Sequence, residues 1–312
     1  MARAKPTKRK ADAILTADWH LRDDVPTCRT DDYAAAMWRK IEFIKKLKWK
    51  HTTREQECAL LVAGDLFHRP RPSYALTTKA MRELNVGGEF IAIPGQHDLP
   101  QHRLGAIDES AFGVLTESFI ITETKSCTGI QGFPFGAELK SCAKEIIKDP
   151  DRTRQIALAH VMCYESKPLF PGAEKVGGTA QQILDKLKGF DLVVTGDNHI
   201  PFTYRTKDGR LLVNPGSLMR MTAAQADHRP RVYLWYADEN RVDEVFLPIE
   251  QGVVSRDHIE RAEERDERID AYVTRMNHDY EVELSFDENL KRYLATNRVH
   301  SRVKNIINEA RS

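Results

Sequence analysis

Acidic, imidazole and amide side chains recur at one kind of place in this chain, directly after a short apolar run. Ile14-Leu15-Thr16-Ala17 leads into Asp18-Trp19-His20, and Ala59-Leu60-Leu61-Val62-Ala63 leads into Gly64-Asp65-Leu66-Phe67-His68. Phe90-Ile91-Ala92-Ile93 runs to Gly95-Gln96-His97-Asp98, Ile156-Ala157-Leu158-Ala159 to His160, and Leu192-Val193-Val194-Thr195 to Gly196-Asp197-Asn198-His199. An apolar run of strand length that stops at such a group is how a buried strand presents it at its C-terminal end. Several such endings in one chain point to a single metal centre fed by several strands. Asp18 and His20 are one residue apart, so at a strand end they point the same way and reach one ion. Asp65 offers a carboxylate able to bridge two ions. Gln96 offers an amide oxygen, His160 and His199 offer imidazole nitrogens, and Asp197 adds a further carboxylate. Oxygen and nitrogen ligation without thiolate suits manganese, iron or zinc. These candidates exceed what one ion needs; two ions that clamp a phosphate and activate a water are the natural use. His97 is then placed to assist departure of the leaving oxygen, and Asp98 is expected to hold its tautomer.

The elements that must position these groups alternate. A helix over Asp31–His51, with Met37, Ile41, Ile44 and Leu47 on one face and lysines opposite, follows the first strand. A second, about Tyr74–Leu84 with Ser73 as its cap, precedes the Phe90 strand. Strand–helix–strand order implies parallel right-handed crossovers, with ligands collecting at the carboxyl ends. Further on, the sequence reads as strand-like over Ser118–Phe135 with turns at Gly129 and Gly132, and as a helix over Ala137–Lys148. A Pro- and Gly-rich loop spans Lys167–Gly178, and Thr179 caps a short helix ending at Gly189. Antiparallel strands are expected at Pro201–Thr206, Arg210–Asn214, Arg231–Tyr236 and Glu244–Ile249. The expected fold class is α/β, a four-layer sandwich of two mixed sheets flanked by helices. Residues 1–11 read as a basic disordered tail, 12–250 as the catalytic domain and 251–312 as a helical C-terminal extension, with helices at about Asp257–Arg275, Asp287–Ala295 and Arg298–Glu309.

Composition narrows the class. The chain has 312 residues, 41% hydrophobic and 30% charged, with a net charge of +1, so affinity for nucleic acid must come from local patches or bound metal. The five cysteines form no CxxC pair, which argues against a disulfide framework or zinc ribbon and for a reducing, cytoplasmic setting. No apolar run is long enough to span a membrane.

Asp-x-His, Gly-Asp, Gly-x-His-Asp, an isolated His and Gly-x-x-His in this order resemble the calcineurin-type metallophosphoesterases. More narrowly, Gly64-Asp65-Leu66-Phe67-His68 followed by Pro72-Ser73 resembles the nuclease subunit of SbcCD-type double-strand-break repair complexes. Gly95-Gln96-His97-Asp98-Leu99-Pro100 and Asn214-Pro215-Gly216-Ser217 are similar to a phage-type relative, for which the setting would be the host cytoplasm. The resemblance covers about Ile14–Ile249. It implies one metal on Asp18, His20, Asp65 and His199, and a second on Asp65, Gln96, His160 and Asp197. It also implies a water that attacks phosphorus between them, and His97 acting on the leaving group. The family has Asn where Gln96 stands and His where Asp197 stands; both departures fall on the second metal and favour manganese, or magnesium, over zinc. Arg220 and His102 are candidate phosphate contacts. His68 and Trp19 are expected to pack beneath the site, and Asn214–Ser217 to form either a phosphate loop or a structural turn. The implied function is DNA cleavage, exo- or endonucleolytic, in recombination or repair. The implied partners are DNA, an SMC-like coiled-coil ATPase docked on Asp287–Ala310, and a second copy through Asp31–His51. The rival readings are a phosphodiesterase or phosphatase for nucleotides or phosphoproteins, and a degenerate module without catalysis.

Overall fold

The first strand, β1 (Ala13–Thr16), is buried along its whole length, as its unbroken apolar run requires. It is followed by α1 (Tyr33–His51), β2 (Ala59–Ala63), α2 (Tyr74–Glu83), β3 (Phe90–Ile93), α3 (Ala111–Glu117) and β4 (Thr122–Glu123). Then come β5 (Ile130–Phe133), β6 (Ile156–His160), β7 (Met162–Tyr164), α4 (Ala173–Val176), β8 (Gly177–Thr179), α5 (Ala180–Lys186) and β9 (Leu192–Gly196). β10 (Phe202–Arg205), β11 (Leu211–Asn214), β12 (Arg231–Tyr236) and β13 (Arg241–Phe246) complete the sheets. The computed structural model describes residues 9–124, 129–141, 154–169, 171, 173–257, 259, 265, 267–271 and 286–310.

A six-stranded sheet runs β13-β12-β1-β2-β3-β4 and a five-stranded one β10-β11-β9-β6-β5, with β7 and β8 as a separate pair. β1 to β4 are mutually parallel, as are β5, β6, β9 and β11, while β10, β12 and β13 add antiparallel edges. Side chains alternate between two cores. On β2, Leu60 and Val62 face the helices α1, α2 and α3, while Leu61 and Ala63 face the second sheet. Leu158, Leu192 and Val194 meet them from that sheet, and Ala157 and Val193 point outward to Ile183 and Leu184 of α5. The layers are therefore helix, sheet, sheet, helix, as the four-layer reading expects.

Asp32 caps α1 by accepting from the Ala35 amide, and Lys48, Lys50 and His51 sit in its last turn, where the helix dipole favours cations. The lysines do not all lie opposite the apolar stripe, however. Lys40 and Lys48 fall on the same heptad face as Met37, Ile41 and Ile44 and are buried. Lys48 pairs with Glu57 at 2.8 Å; Lys40 has no such partner among the described residues.

Other boundaries move. Gly132 is no turn but lies within β5, where a Cβ would press on Thr124 and Ile93 of the neighbouring strands' region. The strand-like stretch from Ser118 reduces to β4 and β5. Residues 96–109 form 3-10 turns leading into α3, whose Ser110 cap accepts from the Gly113 amide. Ala137–Ser141 are not helical, and the rest of the helix expected to Lys148 lies outside the described residues. The Lys167–Gly178 loop contains α4 and the start of β8, and α5 ends at Lys186. The last strand begins earlier than expected, at Arg241, because Asn240 reverses the chain with φ 45°. In the expected N-terminal tail, residues 1–8 lie outside the described ones. Ala11 is instead part of the core, its amide donating to His51 Nδ1 at 2.9 Å.

Two compact units divide the chain, Met1–Ser255 and Arg256–Ser312. The second holds helical residues at 267–271, and α6 (Phe286–Thr296) and α7 (Ser301–Glu309). Most of the helix expected over Asp257–Arg275 lies outside the described residues. Among the described residues no helix is long and apolar enough to cross a membrane.

Candidate metal centre

The parallel registers of β1, β2, β3, β6 and β9 bring their carboxyl ends to one place, and every strand-end group of the sequence arrives there. The chain bends sharply to aim them: Asp18 (φ 50°), His20 (φ 47°), Asp65 (φ 50°) and Asp197 (φ 82°) all occupy the left-handed region. Non-glycine residues are held there only where the surroundings over-determine the backbone. Here those surroundings are explicit. The amides of Asp18 and His20 donate to the carbonyls of Gly64 and Asp65, and the amide of Asp197 donates to both carboxylate oxygens of Asp18 at 3.0 and 3.2 Å.

Ligand atoms of Asp18, His20 and His199 lie within 4.8 Å of one another, as do those of Asp18, Asp65 and His160, and those of His20, His68 and His97. Asp65 Oδ1 accepts from the His97 amide at 2.8 Å. Its Oδ2 is buried without a hydrogen bond, 3.7 Å from His20 Nε2 and 3.5 Å from His160 Nε2. His20 Nε2 and His199 Nε2 face each other at 3.1 Å. The Nδ1 of His160 lies 2.8 Å from the carbonyl of Ala63; a carbonyl only accepts, so Nδ1 carries the proton and Nε2 is turned to the site. There it meets Gln96 Oε1 at 2.6 Å, and Gln96 Nε2 in turn donates to Asp197 Oδ1 at 2.8 Å.

The electrostatics describe a centre short of positive charge. Burial pushes the Asp18 carboxyl well above the usual range, and the nearby Asp65 charge adds to this. Burial also pushes Asp65 upward, but His160 beside it, and then His20, override this and hold it below the usual range. Burial lowers His20 and His199. Burial would lower His160 as well, yet the charges of Asp65, Asp18 and Asp197 raise it to about 10. A proton on His160 thus does the service of a cation among buried carboxylates. A buried carboxylate oxygen without a hydrogen bond, facing imidazoles and a proton held against burial are what residues built for divalent cations present. The residues fit that group.

Two assignments change. Asp98 does not orient His97. Its oxygens accept from the amides of Leu66, Phe67 and Gly95 at 3.1, 2.7 and 2.9 Å, so it ties the β2 and β3 loops together. His97 Nδ1 instead lies 3.1 Å from the carbonyl of His68, which leaves its Nε2 free. The His68 ring stacks on His97, and His20 meets His97 edge-on at 4.9 Å. Asp98→Ala strands three buried amides, and a loss of about 3 kcal/mol or more in denaturant unfolding is expected.

Arg220 is the other. It is 3% exposed, and its Nη atoms donate to the carbonyls of Ala226 and Glu250, so it cannot swing out to a phosphate at the metal centre. His102 is exposed at the rim, edge-on to Phe135, whose ring in turn faces His160. Asp197 is not in either carboxylate–imidazole cluster; it backs Gln96. Trp19 is buried, its Nε1 donating to Thr16 at 2.9 Å, and so packs below the site. Asn214 is a structural post: it accepts from Thr195 and donates to the carbonyls of Asn198 and Ile200, fixing the His199 loop. Asn198 was given no role in the sequence; it braces the same loop through the Cys163 carbonyl, and its place between two candidate ligands was the available signal.

No curated protein matches this chain. Among solved structures it is similar to a metallophosphoesterase from Sphaerobacter thermophilus, with 12% identity over 76% of this chain and 89% of that one and a TM-score of 0.37. It is also similar to wild-type Vps29 complexed with zinc from Entamoeba histolytica, with 14% identity over 75% of this chain and 98% of that one and a TM-score of 0.33. The family model for calcineurin-like phosphoesterases, which hydrolyse phosphoesters with two divalent metals, matches residues 13–201. That span runs from β1 through every strand-end group described above, and the chain belongs to the calcineurin-like phosphoesterase family.

Proposed function

We propose that this chain is a phosphodiesterase acting on DNA, of the recombination and repair type, with manganese as its preferred ion and magnesium as the second choice. Asp18, His20, Asp65 and His199 would hold one ion. Asp65, Gln96 and His160, with Asp197 behind Gln96, would hold the other. The carrying observation is the buried Asp65 Oδ2, without a hydrogen bond, between His20 and His160, with His97 alongside. Bound there, the ions would supply the charge that draws in a phosphodiester and makes a water acidic enough to react at neutral pH.

The chain's own residues do the rest. Asp65 grips the His97 amide and so sets the loop that carries it. The His68 carbonyl holds the His97 Nδ1–H, so a proton delivered to the departing sugar oxygen would come from Nε2 of the doubly protonated ring. DNA as the substrate is supported by the Gly64–His68 and Pro72-Ser73 motif. It is supported also by a cavity of about 400 Å³ beside His199, lined by Ile200, Thr222, Gln225 and His228, which is of nucleotide size. An SMC-like ATPase on Asp287–Ala310 belongs to the same proposal, and Tyr293, Val303 and Ile306 of α6 and α7 are exposed for it.

The test is cleavage of end-labelled linear and circular DNA with manganese, magnesium or chelator, beside a His97→Ala protein. Metal-dependent cleavage that falls by about 10²- to 10⁴-fold in the variant is expected. A p-nitrophenyl phosphodiester, whose leaving group needs no proton, should suffer far less. Intact DNA with hydrolysis of the small diester would instead favour a nucleotide or phosphoprotein substrate. Failure to cut either would favour a non-catalytic module.

A further inference from the structure

Away from the strand ends, a cavity of about 120 Å³ opens between α1 and the ends of two loops, lined by Arg29, Asp31, Arg39, Lys40, Arg220 and Glu250 among others. Its charges do not balance. Asp31 is taken by Arg29 in a two-pronged pair at 2.8 and 2.6 Å, and Glu250 is taken by Arg39 at 2.6 Å. Among the described residues neither Lys40 nor Arg220 has a carboxylate at ion-pair distance. Both are 3% exposed. The Lys40 ammonium donates to the thioether of Met219 at 3.1 Å, an acceptor too weak to compensate a buried charge. Arg220 donates to two carbonyls, and its Nε is buried without any partner. Burial, then the neighbouring Arg29 and Arg220 charges, lowers Lys40 to about 7.

We propose that this cavity binds a phosphate-sized tetrahedral dianion, with Lys40 and Arg220 as its buried donors and Arg39 at its mouth. Two uncompensated cations match a dianion. The volume admits the equivalent of a few waters and no nucleoside, so the group inside is phosphate itself, either a free ion or the terminal phosphate of a molecule whose remainder stays outside. The site does not rest on the metal-centre reading. It does lie behind that centre: Met219 touches Lys40, while the adjacent Leu218 amide donates to the Asp18 carbonyl and the Ser217 amide to the His199 carbonyl.

The full chain, stripped with EDTA so that the metal centre contributes nothing, would be titrated calorimetrically with inorganic phosphate at fixed ionic strength set by sodium chloride. Wild type, Lys40→Met and Arg39→Gln would be compared. Saturable binding of one phosphate is expected. It should weaken by about tenfold or more in Lys40→Met, which removes a charged donor, and by a smaller factor in Arg39→Gln, which frees the Glu250 carboxylate. Lys40→Met should melt no lower than wild type in phosphate-free buffer, because it removes an uncompensated buried charge. If it fails to fold, the exposed Arg39→Gln decides alone. No saturable binding by wild type, or unchanged affinity in the variant that decides, would overturn the proposal. A nucleoside 5′-monophosphate binding as well as phosphate would assign the terminal-phosphate source; phosphate alone would assign the free ion.

Discussion

Asp65→Asn should lose about a thousandfold or more in phosphodiester hydrolysis, equivalent to about 4 kcal/mol of transition-state stabilisation. It should do so without unfolding. Asn has the shape of Asp and can still accept the His97 amide hydrogen bond, so the β2 loop keeps its anchor. What disappears is the negative charge at the one oxygen that faces both His20 and His160. Metal content, measured after gel filtration, should fall by at least one ion per chain. In chelator the variant should melt below the wild type, since an ionised Asp65, held below its usual range by His160 and His20, contributes stability and is the leading counter-charge of the His160 imidazolium. Full metal content with activity within about tenfold of wild type would remove Asp65 from the centre.

Gly64→Ala acts on the same place through sterics. Gly64 has φ +95°, and a Cβ there would lie 2.0 Å from His160 Nδ1, far inside contact distance of the ring. The left-handed backbone costs an L residue about 1–2 kcal/mol, and overpacking adds about 1–3. A loss of about 2–5 kcal/mol in chemical denaturation is therefore expected, with weakened metal binding in whatever protein folds, because His160 must move. Gly87→Ala is the control: it too has a positive φ, of +67°, but nothing lies within 4 Å of its added Cβ. It should carry the backbone cost alone. Equal losses at the two positions would mean that the contact with His160 carries no weight.

The fold and the convergence of the strand-end groups were legible in the sequence for a common reason. Strands buried on both faces leave unbroken apolar runs, and a charged residue ending such a run has few places to go. The runs before Asp18, Asp65, His160 and Asp197 declared themselves in this way. Roles inside the centre were not legible, because residue type does not say which neighbour a side chain meets. Asp98 adjoins His97 in the chain, yet the 3-10 turn at 96–98 points its carboxylate back to three amides. Arg220 follows Asn214–Ser217, which reads as a phosphate loop or a structural turn, and carbonyls hold its two Nη atoms away from the metal centre. Lys40 was hidden for a different reason: helical periodicity places it next to the apolar stripe, and a lysine there is ordinarily expected to reach water. The 3-10 turns between Gln96 and Glu109 carry no periodicity of either kind, so the entry into α3 had no signal beyond Ser110.

The centre draws Asp18, His20, Asp65 and Gln96 from one sheet and His160, Asp197 and His199 from the other. The two meet so closely that a Cβ on Gly196 would strike the Ala63 carbonyl. The seam between the sheets is therefore also the vernier of the chemistry. A slip of a fraction of an ångström along Leu61, Ile93, Leu158 and Val194 would part His199 from His20 and His160 from Gln96 together. Uncharged interior residues thus set the tolerance of the reaction. Any drift towards new substrates must proceed through the outer loops, with that seam held still.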